Sequence, residues 1–145
     1  MITENNQNNF DKISRYNELK VSIGIFYPNL GWTPKWQPIG FLPNIAEMID
    51  GMLESTSDNL QPLKQAQPAS LDDRSLERVI RVNTTLRDDL WLYEKQLKIW
   101  QTGLMNEQQE IEVRRLQNQL VKLRRVLEEI LAMKEKLEKM TIEYP

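Results

Sequence analysis

Glu47, Asp50, Glu54 and Asp58 fall at i, i+3, i+7 and i+11, a spacing that lines four carboxylates along one side of a helix. Carboxylate oxygens are hard ligands, so such a stripe could hold magnesium and serve a helical NTP pyrophosphatase. The same pattern is also what the solvated face of any amphipathic helix looks like, and that reading is favoured here. A second pair, Glu107 and Glu110, stands where a helix dipole alone accounts for acid. The chain contains no histidine and no cysteine. That excludes Ser-His and Cys-His nucleophile systems, thiolate ligands, disulfides and the Glu-x-x-His element of di-metal bundles. The five glycines are scattered, so no phosphate-cradling loop is formed. No catalytic, cofactor-binding or metal-ligating residue is therefore expected, and the chain reads as a non-enzyme.

Binding is the chemistry that remains. Arg114, Arg115, Lys122, Arg124 and Arg125 make a basic stripe that could contact phosphates of a nucleic acid. Acids at Glu110, Glu112, Glu128 and Glu129 surround it, no aromatic interleaves for base stacking, and Arg114 and Arg115 are expected level with Glu94. Neutralisation within the protein is the preferred account. Prolines 28, 34, 38 and 43 alternate with Trp32, Trp36 and Phe41, which forbids helix interior and favours extended geometry. Such a segment is either offered to a protein partner or strapped across the chain's own helices. The candidate partner-binding residues are Trp32, Pro34, Trp36, Pro38 and Phe41, with Trp91, Leu92 and Ile99.

The elements that position these residues follow from periodicity. From Ser70 to Tyr144 there is no proline and a single glycine, Gly103. Upstream of it Leu76, Val79, Asn83, Leu86, Leu90, Tyr93, Leu97 and Trp100 alternate in three-four steps. Downstream Val113, Leu116, Leu120, Leu123, Leu127, Ile130, Lys134 and Leu137 do the same. These are a and d positions of a heptad repeat, interrupted only by Asn83 and Lys134. Two such helices turning near Gly103, with the glycine as a left-handed cap, make a long antiparallel hairpin. Asn106 is expected to cap the second helix. Asn83, if it lies in the seam, sets register and partner number at a cost in stability.

A third helix is predicted from Asn44 as N-cap with Glu47 as its box partner, ended or kinked by Pro62. Ile45, Met48, Ile49, Met52, Leu53, Thr56 and Leu60 share its apolar face. It, or another copy of the protein, is the expected cover for the second apolar stripe at Trp91, Leu92 and Ile99. Phe10 to Leu19 suggests a short helix, and Val21 to Tyr27 a strand or, equally, an extended or helical segment packed on the hairpin.

The expected fold class is thus all-α. Residues 1–43 form an irregular tryptophan- and proline-bearing arm, 44–69 an amphipathic helix with its linker, and 70–145 a coiled-coil hairpin. The net charge of -2 gives no bulk attraction to nucleic acid or anionic membrane, and no apolar run is long enough to span a bilayer. The N-terminus is polar and lacks a secretory signal, so the expected location is cytoplasmic. The expected function is a protein-interaction or assembly component, working with a protein partner or as a homo-oligomer. The alternatives are a small helical nucleic-acid-associated or regulatory protein using residues 114–125 and, more distantly, the magnesium-dependent pyrophosphatase.

Overall fold

The computed structural model describes Phe26, residues 34–65 and residues 73–143. Trp32, the short helix read at 10–19 and most of the segment at 21–27 lie outside the described residues. Among those described, a short 3-10 turn, Ile39–Phe41, leads into three long helices: α1 (Leu42–Gln65), α2 (Asp73–Gln101) and α3 (Glu107–Glu143). No strand occurs among them, and no helix is long and apolar enough to cross a membrane.

The heptad positions become the core. Asn83, Leu86, Leu90, Tyr93, Leu97 and Trp100 of α2 are buried, as are Val113, Leu116, Leu120, Leu123, Leu127 and Ile130 of α3. Leu42, Ile45, Met48, Ile49, Met52, Leu60 and Leu63 of α1 join them. Each large apolar side chain so covered contributes about 1.5–3 kcal/mol of transfer free energy against the cost of ordering the chain. Both α1 and α2 pack along α3.

The side chains linking α2 to α3 pair Gln101 with Gln117 and Glu94 with Arg124. Seven residues back along α2 are matched by seven forward along α3, so the two chains run in opposite directions. Continued at that pace, the register brings Asn83 level with position 135, next to the other interruption of the heptad pattern.

Several local expectations change. The helix begins at Leu42, two residues before Asn44, because the 3-10 turn already supplies the tight geometry and Pro43 needs no N–H in a first turn. Asn44 is accordingly an exposed first-turn residue and not the cap. Pro62 does not end α1, which continues to Gln65. Proline has no N–H to give the ladder, so α1 carries one fewer i→i−4 bond through its last turn.

Gly103 is not in the left-handed region. The end of α2 tightens instead into a 3-10 turn, with the Gly103 N–H donating to the Trp100 carbonyl at 3.1 Å. The Thr102 hydroxyl donates to the Ile99 carbonyl at 2.8 Å, so the last carbonyls are satisfied without a glycine-specific cap. Asn106 does cap α3: its Oδ1 accepts the Gln109 N–H at 2.8 Å, and Gln109 Oε1 accepts the Asn106 N–H at 3.0 Å. This is a reciprocal capping box.

The core divides into a large apolar cluster and a small one around Leu60, Leu63 and Ile130. Along α1 and α2 the boundary between them is polar. Ser55, Thr56 and Asn59 are buried between Met52 and Leu60, and Asn83 is buried between Val79 and Leu86.

Candidate functional site

The Trp36–Gln37 segment is held on α2 by a clamp built mainly from two side chains. Gln96 lies one helical turn before Trp100 on the inward side of α2, and it is fully buried. Its Oε1 accepts the Gln37 N–H at 2.7 Å, and its Nε2 donates to the Gln37 carbonyl at 3.3 Å. The Trp100 indole Nε1–H donates to the same carbonyl at 2.8 Å. One residue of extended backbone thus has both polar groups satisfied by side chains of the helix below it. A buried glutamine unpaired at this position would cost about 1–3 kcal/mol in desolvation, so the clamp also accounts for its own burial.

Aromatic contacts flank these hydrogen bonds. The Trp36 ring meets Trp91 edge-on at 6.3 Å and Phe26 at 5.8 Å. Phe26, fully buried, meets Tyr93 edge-on at 5.8 Å, and its carbonyl accepts the Lys35 N–H at 2.6 Å. The Tyr93 hydroxyl is buried without a hydrogen-bond partner among the described residues. Burial, reinforced by the charge of Asp89, holds its pKa above the ordinary tyrosine value.

The candidate partner-binding residues separate in this arrangement. Trp36 and Phe41 are partly buried against the core, Pro34 and Ile99 are half-buried, and Pro38 is exposed. Trp91 remains 45% exposed, whereas Leu92, at 1%, is drawn into the core and offers no surface. The stripe for which the helix at 44–61 or another copy was the expected cover is met at Trp91 by Trp36, while α1 packs along α3.

The charged candidates also separate. Arg115 makes a bidentate pair with Asp50 at 2.8 and 2.9 Å and reaches Glu112 at 2.6 Å. Gln119 donates to Asp50 as well, at 3.2 Å. The Arg115 hydrogen bond, with smaller help from Gln119, holds the Asp50 carboxyl below its usual range against the opposing effect of burial. The hydrogen bonds that Arg115 donates to Glu112 and Asp50 raise its pKa above its already high ordinary value.

Arg124, not Arg114 or Arg115, is the residue level with Glu94, and it pairs with it. The turn at 102–106 places positions 114 and 115 nearer the end of α2 than was expected. Arg114, Lys122 and Arg125 are present on α3, with Arg114, Lys122 and Arg125 exposed. Within the carboxylate stripe, Asp50 is engaged by Arg115, and Glu47 and Glu54 are exposed. Among the described residues no group of three or more His, Cys, Asp or Glu side chains is placed to hold a metal ion.

A groove of about 560 Å³ runs between α2 and α3, lined by residues of those two helices alone, among them Glu94, Lys98, Val121, Arg124 and Glu128. Large apolar side chains are exposed on α3 and in the turn before it: Leu104 at 99%, Ile111 at 59% and Val121 at 53%.

Sequence reasoning missed Gln96 and Gln37. The available signal was Gln96 itself, a polar residue on the otherwise apolar line Leu92–Gln96–Trp100. Comparison with protein-family models, with curated proteins and with solved structures gives no match.

Proposed function

We propose that this is a non-catalytic interaction or assembly protein. In this reading α2 and α3 form an antiparallel coiled-coil hairpin, and with α1 and the tryptophan- and proline-bearing arm they present surface to a protein partner or to a second copy, in a cytoplasmic setting. The observation that carries the reading is the exposure of the apolar side chains Leu104, Ile111 and Val121, the last of which lines a groove that α1 does not. Apolar area left open on a helix pair is stabilised when a partner covers it, by about 25 cal/mol per Å². Trp91, partly open beside Trp36, adds an aromatic of the kind that anchors interfaces.

The test compares the wild-type chain with an Ile111→Glu/Val121→Glu double variant in sedimentation and in crosslinking from cell extract. The proposal expects wild-type complexes, homomeric or with a defined partner, that the double variant loses. A wild-type chain that is monomeric and yields no crosslinked species overturns it. A second reading rests on the exposure of Arg114, Lys122 and Arg125, which leaves three cations of the basic stripe open to a nucleic-acid backbone. Filter binding with DNA and RNA across a salt series separates the two readings, since only the nucleic-acid reading expects an affinity that falls steeply with salt.

A further inference from the structure

The contacts that hold Gln37 on α2 have the form of peptide recognition. Three hydrogen bonds join the main chain of a single residue to the side chains of Gln96 and Trp100, two accepted by its carbonyl and one donated by its N–H. A side-chain amide that both donates to and accepts from the main chain of one residue reads backbone and no particular side chain. Selectivity comes from the neighbouring indole of Trp36, seated against Trp91 and Phe26. Pro34 and Pro38 bracket the segment and restrict it to extended forms, so little conformational entropy is lost when it binds. The segment joins α1 through Gly40, where an added Cβ would meet nothing within 4 Å. The connection between the bound segment and the helices is therefore short and sterically open at that residue.

We propose that the Gln96–Trp100 clamp is an exchangeable site, and that it takes in trans the Trp36–Gln37 segment of a second copy of this chain. The inference rests on the interaction reading above and names one surface and one occupant for it. A second copy carries the one segment whose fit to the clamp is seen, hydrogen bond for hydrogen bond. The closed and exchanged forms contain the same clamp contacts, so they differ in connection geometry and in the entropy of association. Tethering gives the chain's own segment an effective concentration on the order of millimolar. The closed form accordingly dominates in dilute wild-type protein, and exchange is revealed by disabling one half of the interaction in each of two chains.

The experiment uses the full chain in a Val121→Glu background, so that association through the α2–α3 groove does not contribute. Trp36→Ala disables the segment and leaves the clamp intact. Gln96→Leu disables the clamp, keeps its volume and leaves the segment intact. Mixed, the two chains should form a 1:1 heterodimer of twice the chain mass in sedimentation velocity. Neither chain alone should form it, nor should the chain carrying both substitutions. An excess of a synthetic peptide spanning residues 31–41 should dissociate it. A mixture that sediments as the sum of its monomeric parents, with the helical circular dichroism of each parent intact, overturns the proposal. Should either parent lose its helical signal, Trp36→Leu and Gln96→Glu replace it with the same expected and opposing results. Failure here leaves the Ile111/Val121 comparison untouched, so the two proposals fall separately.

Discussion

Replacing Asn83 by leucine should make the protein more stable and its pairing less exact. Asn83 is 2% exposed. Its Nδ2 donates to the Val79 carbonyl at 2.7 Å, one turn back in its own helix, but its Oδ1 is buried with no partner among the described residues. A buried unpaired acceptor costs about 1–3 kcal/mol, whereas the bond to a carbonyl already within a helix is among the weaker ones. Leucine removes the orphan and adds apolar area between the two core clusters. The net gain should be about 2 kcal/mol. For a chain of 145 residues that corresponds to roughly 4–8 °C in Tm, at about 2–4 °C per kcal/mol. Thermal unfolding followed by circular dichroism at 222 nm measures it. The second expected effect is broader sedimentation, because a polar residue in an apolar seam disfavours shifted and non-native pairings. A lowered Tm would show that the pocket does not accept leucine or that Oδ1 is satisfied by ordered water. Either result would refute the reasoning.

Three further outcomes follow from single positions. Gly103→Ala should stabilise by about 0.4–1 kcal/mol, because the glycine is not left-handed and a Cβ there meets the Trp100 carbonyl at an ordinary 3.6 Å; a loss of 1 kcal/mol or more in urea unfolding would contradict this. Asn106→Ala should cost about 1 kcal/mol by removing one half of the capping box, and Asn106→Asp should restore most of it, both read in the same denaturation assay. The folded pKa of Asp50 lies below its unfolded value, so its stabilising contribution is present above about pH 4 and fades as pH falls through the folded value. Asp50→Asn should flatten that acid limb while costing less than about 1 kcal/mol at neutral pH, since both partners of the pair are about 40% exposed.

The all-helical class, the approximate spans of the three helices and nearly every core residue were legible in the sequence. Heptad spacing between Leu86 and Ile130 is a local statement about which side of each helix avoids water, and hydrophobic burial acts on that side whatever the partner turns out to be. The Asn106 cap was legible for a similar reason, since its hydrogen bonds join residues three apart. What depended on distant partners was not legible. Asp50 looked like one member of a solvated stripe until α1 packed along α3 and brought it to Arg115, 65 residues away. Asn83 was equally consistent with water and with the core, because a heptad position says which way a side chain faces and not how many helices surround it. Leu92 and Trp91 are adjacent in sequence, yet one is in the core and the other half-open beneath Trp36. Gln96 is the clearest case. By type it belongs on the surface, and only a backbone segment 59 residues earlier in the chain, supplying an acceptor and a donor together, lets it be fully buried. Periodicity reports the solvent preference of one helix at a time, whereas hydrogen bonding between remote segments is decided when the helices and the chain before them meet.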